Sequence, residues 1–213
     1  MNNINEYYSK RAKEYEQIYY RDDPVRQSEL AKIKNLIRNS FRNKSVLEIA
    51  CGTGYWTKTV TQTAKNITAV DSSAEMLEVA KAKMLKANFM LDNAYSLKNV
   101  REKFNGGLAN FWFSHIHKSQ INSFLDTFHK KLQTKSIVIM TDNVFNKAIG
   151  GELIKIHGNE NTYKVRTLGD GTTYRILKNY YNEEELNVIF KKYSSEIKIY
   201  FGKCYWWIKY KLN

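Results

Sequence analysis

Short apolar runs alternate with amphipathic segments along most of this chain, and that alternation constrains the fold more than any other feature. The runs fall at residues 45–50, 66–70, 87–91, 107–112 and 136–141, and helical patterns separate most of them. One helix has a capping-box spacing from Ser72 to Glu75, and another carries Ile121, Phe124, Leu125, Phe128 and Leu132 on one face. Strands that are apolar throughout, each followed by a helix, imply a parallel sheet covered on both sides, an α/β fold. No internal repeat or low-complexity tract interrupts the pattern.

The flanks depart from it. Residues 4–20 read as a tyrosine-rich helix, and residues 26–41 as a second with Leu30, Ile33, Ile37 and Phe41 on one stripe, Pro24 standing just before it. Between 143 and 181 the alternation stops, and 163–168 and 172–178 read as a β-hairpin around Gly169-Asp170-Gly171. A helix capped by Asn182, with Glu185 three residues on, precedes two antiparallel strands around 196–201 and 204–212. The expected organisation is one domain of 213 residues: an N-terminal helical lid at 1–43, a cofactor-binding core at 44–142, a hairpin cap at 143–181, and a C-terminal helix with the last two strands at 182–213.

The most informative segment is SVLEIACGTGYWT at 45–57. A buried strand runs straight into Ala50-Cys51-Gly52-Thr53-Gly54 and then a helix, so bare backbone lies where a ligand approaches strand ends. Asp71, at the tip of the second strand, is placed to accept both hydroxyls of a ribose. A dinucleotide site asks for a third small residue three positions after Gly54; this chain has Thr57, preceded by the bulky Tyr55 and Trp56. Glu48 also fits poorly beside a diphosphate and well beside an ammonium and a sulfonium. Sterics and charge therefore point to S-adenosylmethionine and away from NAD.

With these residues in view, the chain resembles the class I methyltransferases, Rossmann-like seven-stranded enzymes whose last strand is inserted antiparallel. VLEIACGTGYW resembles their glycine motif, AVDSSAEML their second motif, and FMLDNA at 89–94 their third. The tail is similar to a bacterial subgroup acting on small molecules. The resemblance implies S-adenosylmethionine as cofactor and S-adenosylhomocysteine as product. It implies a cofactor site built from Tyr15, Tyr19, Glu48, Ala50, Gly52, Gly54, Trp56, Asp71, Ser72, Met76, Asp92, Asn93, Ala94, Phe111 and Trp112. Met76 is expected below the adenine, Asp92 or Asn93 against its amino group, and Tyr15 at the methionine end. Ring faces of Tyr15, Tyr19 and Trp112 suit a sulfonium, a contact worth ~0.5–2 kcal/mol. His115 is the candidate base, with a substrate-orienting role as its alternative.

A small-molecule acceptor is expected, with the hairpin setting specificity. The net charge of +13 raises nucleic acid as a rival partner, but the excess divides +4, +4 and +5 over residues 1–45, 46–146 and 147–213, with no long basic run. The turn after the fourth strand, Asn110-Phe111-Trp112-Phe113, lacks the prolines usual in enzymes that methylate base amines. A non-catalytic scaffold is a further alternative. No apolar run is long enough to cross a bilayer, and Cys51, Cys204 and the four histidines form no ligand pattern, so a cytoplasmic protein without metal is the default.

Overall fold

The computed structural model describes residues 4–147 and 152–213. Strands β1 (Ser45–Ile49), β2 (Asn66–Asp71), β3 (Asn88–Leu91), β4 (Phe104–Asn110) and β5 (Leu132–Asn143) lie parallel in one sheet. β6 (Ile154–Lys155), β7 (Thr162–Thr167) and β8 (Thr173–Leu177) form a separate antiparallel sheet. β9 (Glu196–Phe201) and β10 (Tyr205–Lys211) complete the first sheet, whose order is β3-β2-β1-β4-β5-β10-β9, with β10 running against both neighbours. This is a seven-stranded, Rossmann-like sheet with one inserted antiparallel strand, as the resemblance implies.

Helices α1 (Ile4–Arg11), α2 (Pro24–Ser40), α3 (Thr57–Val60), α4 (Ala74–Ala82), α5 (Ile121–Lys130) and α6 (Glu183–Phe190) accompany the sheets. On one face of the large sheet, Leu30, Ile33, Ile37 and Phe41 of α2 and the following turn pack with Val60, Leu77 and Val46. On the other, Phe124, Leu125 and Phe128 of α5 and Leu186 and Phe190 of α6 pack on Leu47, Val138, Trp206 and Tyr210. Both faces are thus apolar, as a parallel sheet requires.

Several expectations need adjustment. The N-terminal helix stops at Arg11, and a 3-10 turn at Tyr15–Tyr19 replaces its second half. The helix after the glycine loop is a single turn, Thr57–Val60. Ser73, not Ser72, caps α4: its hydroxyl accepts the Met76 N–H at 3.2 Å. The hairpin gains β6 as a third strand. Asp23 caps α2 with Pro24 in the first turn, and the Asn182–Glu185 capping box forms in both directions.

Candidate functional site

β1, β2 and β4 end side by side: Ile49 is in register with Val70 on one side and Ala109 on the other. The next residue on β1, Ala50, has φ 53°, and the residue after β4, Phe111, has φ 57°. Two non-glycine residues in the left-handed region at adjacent strand ends store strain, on the order of 1–3 kcal/mol each. Gly52 follows at φ 55°, and a Cβ there would meet nothing closer than 3.9 Å, so the loop leaves room on its ligand side.

The carboxylate of Asp71 ties this loop to β2. Its Oδ2 accepts the Gly52 N–H at 2.7 Å, and its Oδ1 accepts the Ser73 N–H at 2.9 Å. Burial pushes the Asp71 carboxyl above its ordinary value, against these N–H donors.

A cavity of about 220 Å³ opens at these strand ends. Of the residues singled out by sequence, Tyr15, Ala50, Gly52, Asp71, Ser72, Met76, Asp92, Asn93, Ala94, Phe111, Trp112 and His115 line it. Asp92 holds its own loop, accepting the N–H groups of Asn93 and Asn99, each at 2.7 Å. Asn93 accepts the Tyr95 N–H at 2.8 Å.

Four expected residues lie elsewhere. Tyr19 stacks on Tyr55 with ring centroids 3.9 Å apart and faces a second cavity. Trp56 lines neither cavity, packing on Phe111 and donating its indole N–H to the Tyr19 hydroxyl. Gly54 faces α4, where a Cβ would come within 3.3 Å of Ala80 Cβ. Glu48 is buried and accepts the Thr57 hydroxyl at 2.7 Å; burial pushes its carboxyl up to about 8. Glu48 lines neither cavity, and its burial favours the protonated form, which leaves little physical basis for pairing it directly with an ammonium. Thr57 is fully buried, and its hydroxyl is committed to that carboxyl.

Sequence reasoning missed Asn110 and Tyr8, which also line the cleft. Both polar atoms of the Asn110 side chain, and the indole N–H of Trp112, are buried with no hydrogen-bond partner among the described residues. Unpaired amide groups of this kind are expensive unless something fills them. Asn110 was visible as the residue ending an apolar run, but nothing in the sequence marked its amide as unpaired.

His115 has both ring nitrogens engaged. Nδ1 sits 2.7 Å from the carbonyl of Leu177, which only accepts, so Nδ1 carries the proton and Nε2 accepts the Tyr8 hydroxyl at 2.9 Å. Burial, with the Lys178 ammonium adding to it, holds the imidazole at about 3. A ring this weakly basic, with its lone pair taken, is poorly suited to removing a proton. Its geometry is that of an anchor for α1, which also packs through Tyr7 against Tyr174 of β8.

Beside His115 lies an ion pair that sequence reasoning also missed. Lys178 Nζ is 2.9 Å from Asp142 Oδ1 and donates to the Ser114 hydroxyl at 2.7 Å, while Asp142 Oδ2 accepts the Ser114 N–H. Burial works to raise Asp142, yet Lys178 and His115 hold it below the ordinary carboxylate value. The second cavity, about 330 Å³, lies on this side. Tyr8, Tyr15, Phe111 and His115 line both cavities and form the wall between them.

The comparisons with known proteins agree with this architecture. Residues 46–135 match the family model described as a methyltransferase domain. DhpI in its complex with SAH superposes with a TM-score of 0.79 at 21% identity, over 98% of this chain and 95% of that one. DesVI of Streptomyces venezuelae gives 0.63 at 15% identity, over 92% and 97%. CalS10 of Micromonospora echinaspora, an amino pentose methyltransferase solved with SAM, gives 0.59 at 13%, over 86% and 90%. At these identities the likeness is one of fold. An uncharacterized methyltransferase of Oceanobacillus iheyensis, OB1106, is 22% identical over 132 residues, a match spanning 62% of this chain and 58% of that protein.

Proposed function

We propose that this chain, which has the class I methyltransferase fold and carries a methyltransferase domain at 46–135, binds S-adenosylmethionine in the 220 Å³ cleft and methylates a small-molecule acceptor. The observation that carries the reading is the Asp71 carboxylate at the cleft, bonded to the Gly52 N–H of a loop that leaves its ligand side open. That arrangement suits a ribose, and the unpartnered amide of Asn110 supplies a donor and an acceptor for a polar ligand nearby. SAM solved with CalS10 and SAH with DhpI add support.

The cofactor supplies an activated methyl group on a sulfonium, so the residues have to bind, align and exclude water rather than generate a reactive group. Gly52 and Asp71 hold the sugar end, Asp92, Asn93 and Ala94 the base, and Asn110 and Tyr15 the opposite end. Tyr8, fixed by His115, closes the wall toward the second cavity. His115 acts in this reading as a positioning residue.

Calorimetry on the full chain tests it: S-adenosylhomocysteine should bind and NAD should not. Uptake of NAD with indifference to S-adenosylhomocysteine would overturn the assignment. Mass spectrometry of an extract incubated with the protein and labelled cofactor then seeks one labelled product.

A further inference from the structure

The second cavity collects positive charge that the sequence scatters. Seven arginine and lysine side chains line it, against a single carboxylate, Glu14. They come from the N-terminal segment (Arg11, Arg21, Arg26), from the β7–β8 sheet and its exit (Lys164, Arg166, Lys178) and from the turn between β9 and β10 (Lys203). Part of this charge is matched: Arg11 lies 3.9 Å from Glu14, Arg26 lies 3.8 Å from Asp23, and Lys178 pairs with Asp142. Among the described residues no carboxylate lies within ion-pair distance of Arg166.

Lys164 is 1% exposed, with its ammonium 5.2 Å from the ring centre of Tyr180 and 5.6 Å from that of Phe145. Burial lowers it to about 8, and Arg166 and Lys178 push the same way. Arg166, half-buried on the cavity wall, adds positive charge that an anion entering the cavity would match. A cleft of about 330 Å³, walled on one side by Tyr8, Tyr15, Phe111 and His115, suits a small molecule rather than an extended polyanion.

Resting on the methyl-transfer reading, we propose that the second cavity is the acceptor site and that the acceptor carries a compact oxyanion, phosphoryl or carboxylate, seated at Arg166 within this basic wall. The positive field draws the anion in and turns cationic amines away. The remainder of the acceptor then faces the shared wall and the cleft beyond it.

Inorganic phosphate and acetate are the probes, titrated into the full chain with and without S-adenosylhomocysteine at ionic strength held constant with sodium chloride. Either probe should raise the melting temperature along a saturable curve that chloride does not reproduce. A response to phosphate alone identifies a phosphoryl group, and a response to acetate alone a carboxylate. Arg166→Gln, at a half-buried position on the cavity wall, should weaken the effective anion by about tenfold or more and leave S-adenosylhomocysteine affinity unchanged. The proposal is overturned if neither anion exceeds chloride, if Arg166→Gln leaves the response unaltered, or if a short RNA binds there more tightly than phosphate. Failure of S-adenosylhomocysteine to bind strikes the methyl-transfer reading alone, since the anion titration is read without it as well.

Discussion

Asp71 does two things with one carboxylate. It fixes the glycine loop through the Gly52 N–H and starts α4 through the Ser73 N–H, leaving further lone pairs toward the cleft. Replacing it with alanine should weaken S-adenosylhomocysteine binding by ~1.5–3 kcal/mol, the range for charge-assisted bonds, or roughly ten- to hundredfold. Calorimetry decides, and an unchanged affinity would remove Asp71 from the site. His115 makes a different prediction. Its imidazole stays neutral down to about 3, whereas the unfolded ring takes a proton near 6.5. Its contribution to stability is present above 6.5 and is lost as pH falls toward 3. Turnover should therefore show no inflection near 6.5 that His115→Gln abolishes; such an inflection would restore the ring as a base. Tyr8→Phe, which removes only the hydroxyl bonded to Nε2, should raise the acceptor KM more than it lowers S-adenosylhomocysteine affinity.

At the level of elements, β4 shows how close packing overrides local preference. Gly106 and Gly107 are poor strand residues, yet a Cβ on Gly107 would sit 2.8 Å from Phe128 Cζ and 2.9 Å from a Leu132 methyl. The space belongs to Phe128 of α5 and to Leu132, expected on the same helix face but in fact the first residue of β5, so Gly107→Ala should destabilise the fold by ~1–3 kcal/mol, measurable as a shift in the denaturant midpoint. Sequence periodicity placed this strand at 107–112, whereas it runs Phe104–Asn110: Asn105 and Gly106 separate Phe104 from the apolar run, and Phe111 and Trp112 look like strand residues but follow its end. It read the positions of β1 and β2 along the chain, the amphipathic stripe of α2 and the Asn182 capping box correctly, since each rests on a pattern within a few residues. It overran α1, where the helix yields at Ala12 to aromatic packing among Tyr8, Tyr15 and Tyr19 that no local pattern encodes. Glu29 was equally silent: from α2 it accepts the N–H groups of Lys203, Cys204 and Tyr205, some 175 residues away.

Across the whole molecule the same distinction separates what could be read from what could not. Gly52 and Asp71, which line the cleft, were legible because one strand–loop–helix–strand unit carries them in fixed order, whereas Asn93 was reached only through the resemblance of the third motif. The basic cavity was not, because residues 11, 26, 166 and 203 come from opposite ends of the chain and meet only after folding. Burial of charge also leaves a signature in the pH dependence of stability. Glu48 sits near 4.5 when unfolded and at about 8 when folded, so between those values the folded state holds a proton that the unfolded state has released. Its stabilising contribution is complete below 4.5 and is lost as pH rises through 8. His115 runs the opposite way, but its contribution is already complete at 6.5, so it does not oppose the loss above that point. Lys164, at about 8, begins to titrate only where the Glu48 effect ends. The ligand-free chain should therefore lose stability from pH 6.5 to 8, by on the order of 2 kcal/mol, with Glu48 as the principal cause. Glu48→Gln, which keeps an acceptor for the Thr57 hydroxyl and cannot ionise, should flatten that slope. Melting temperatures in matched buffers across the interval measure it, and a variant that falls as steeply as the natural chain would show that Glu48 is ionised in the folded protein, returning its charge to the cleft's electrostatics.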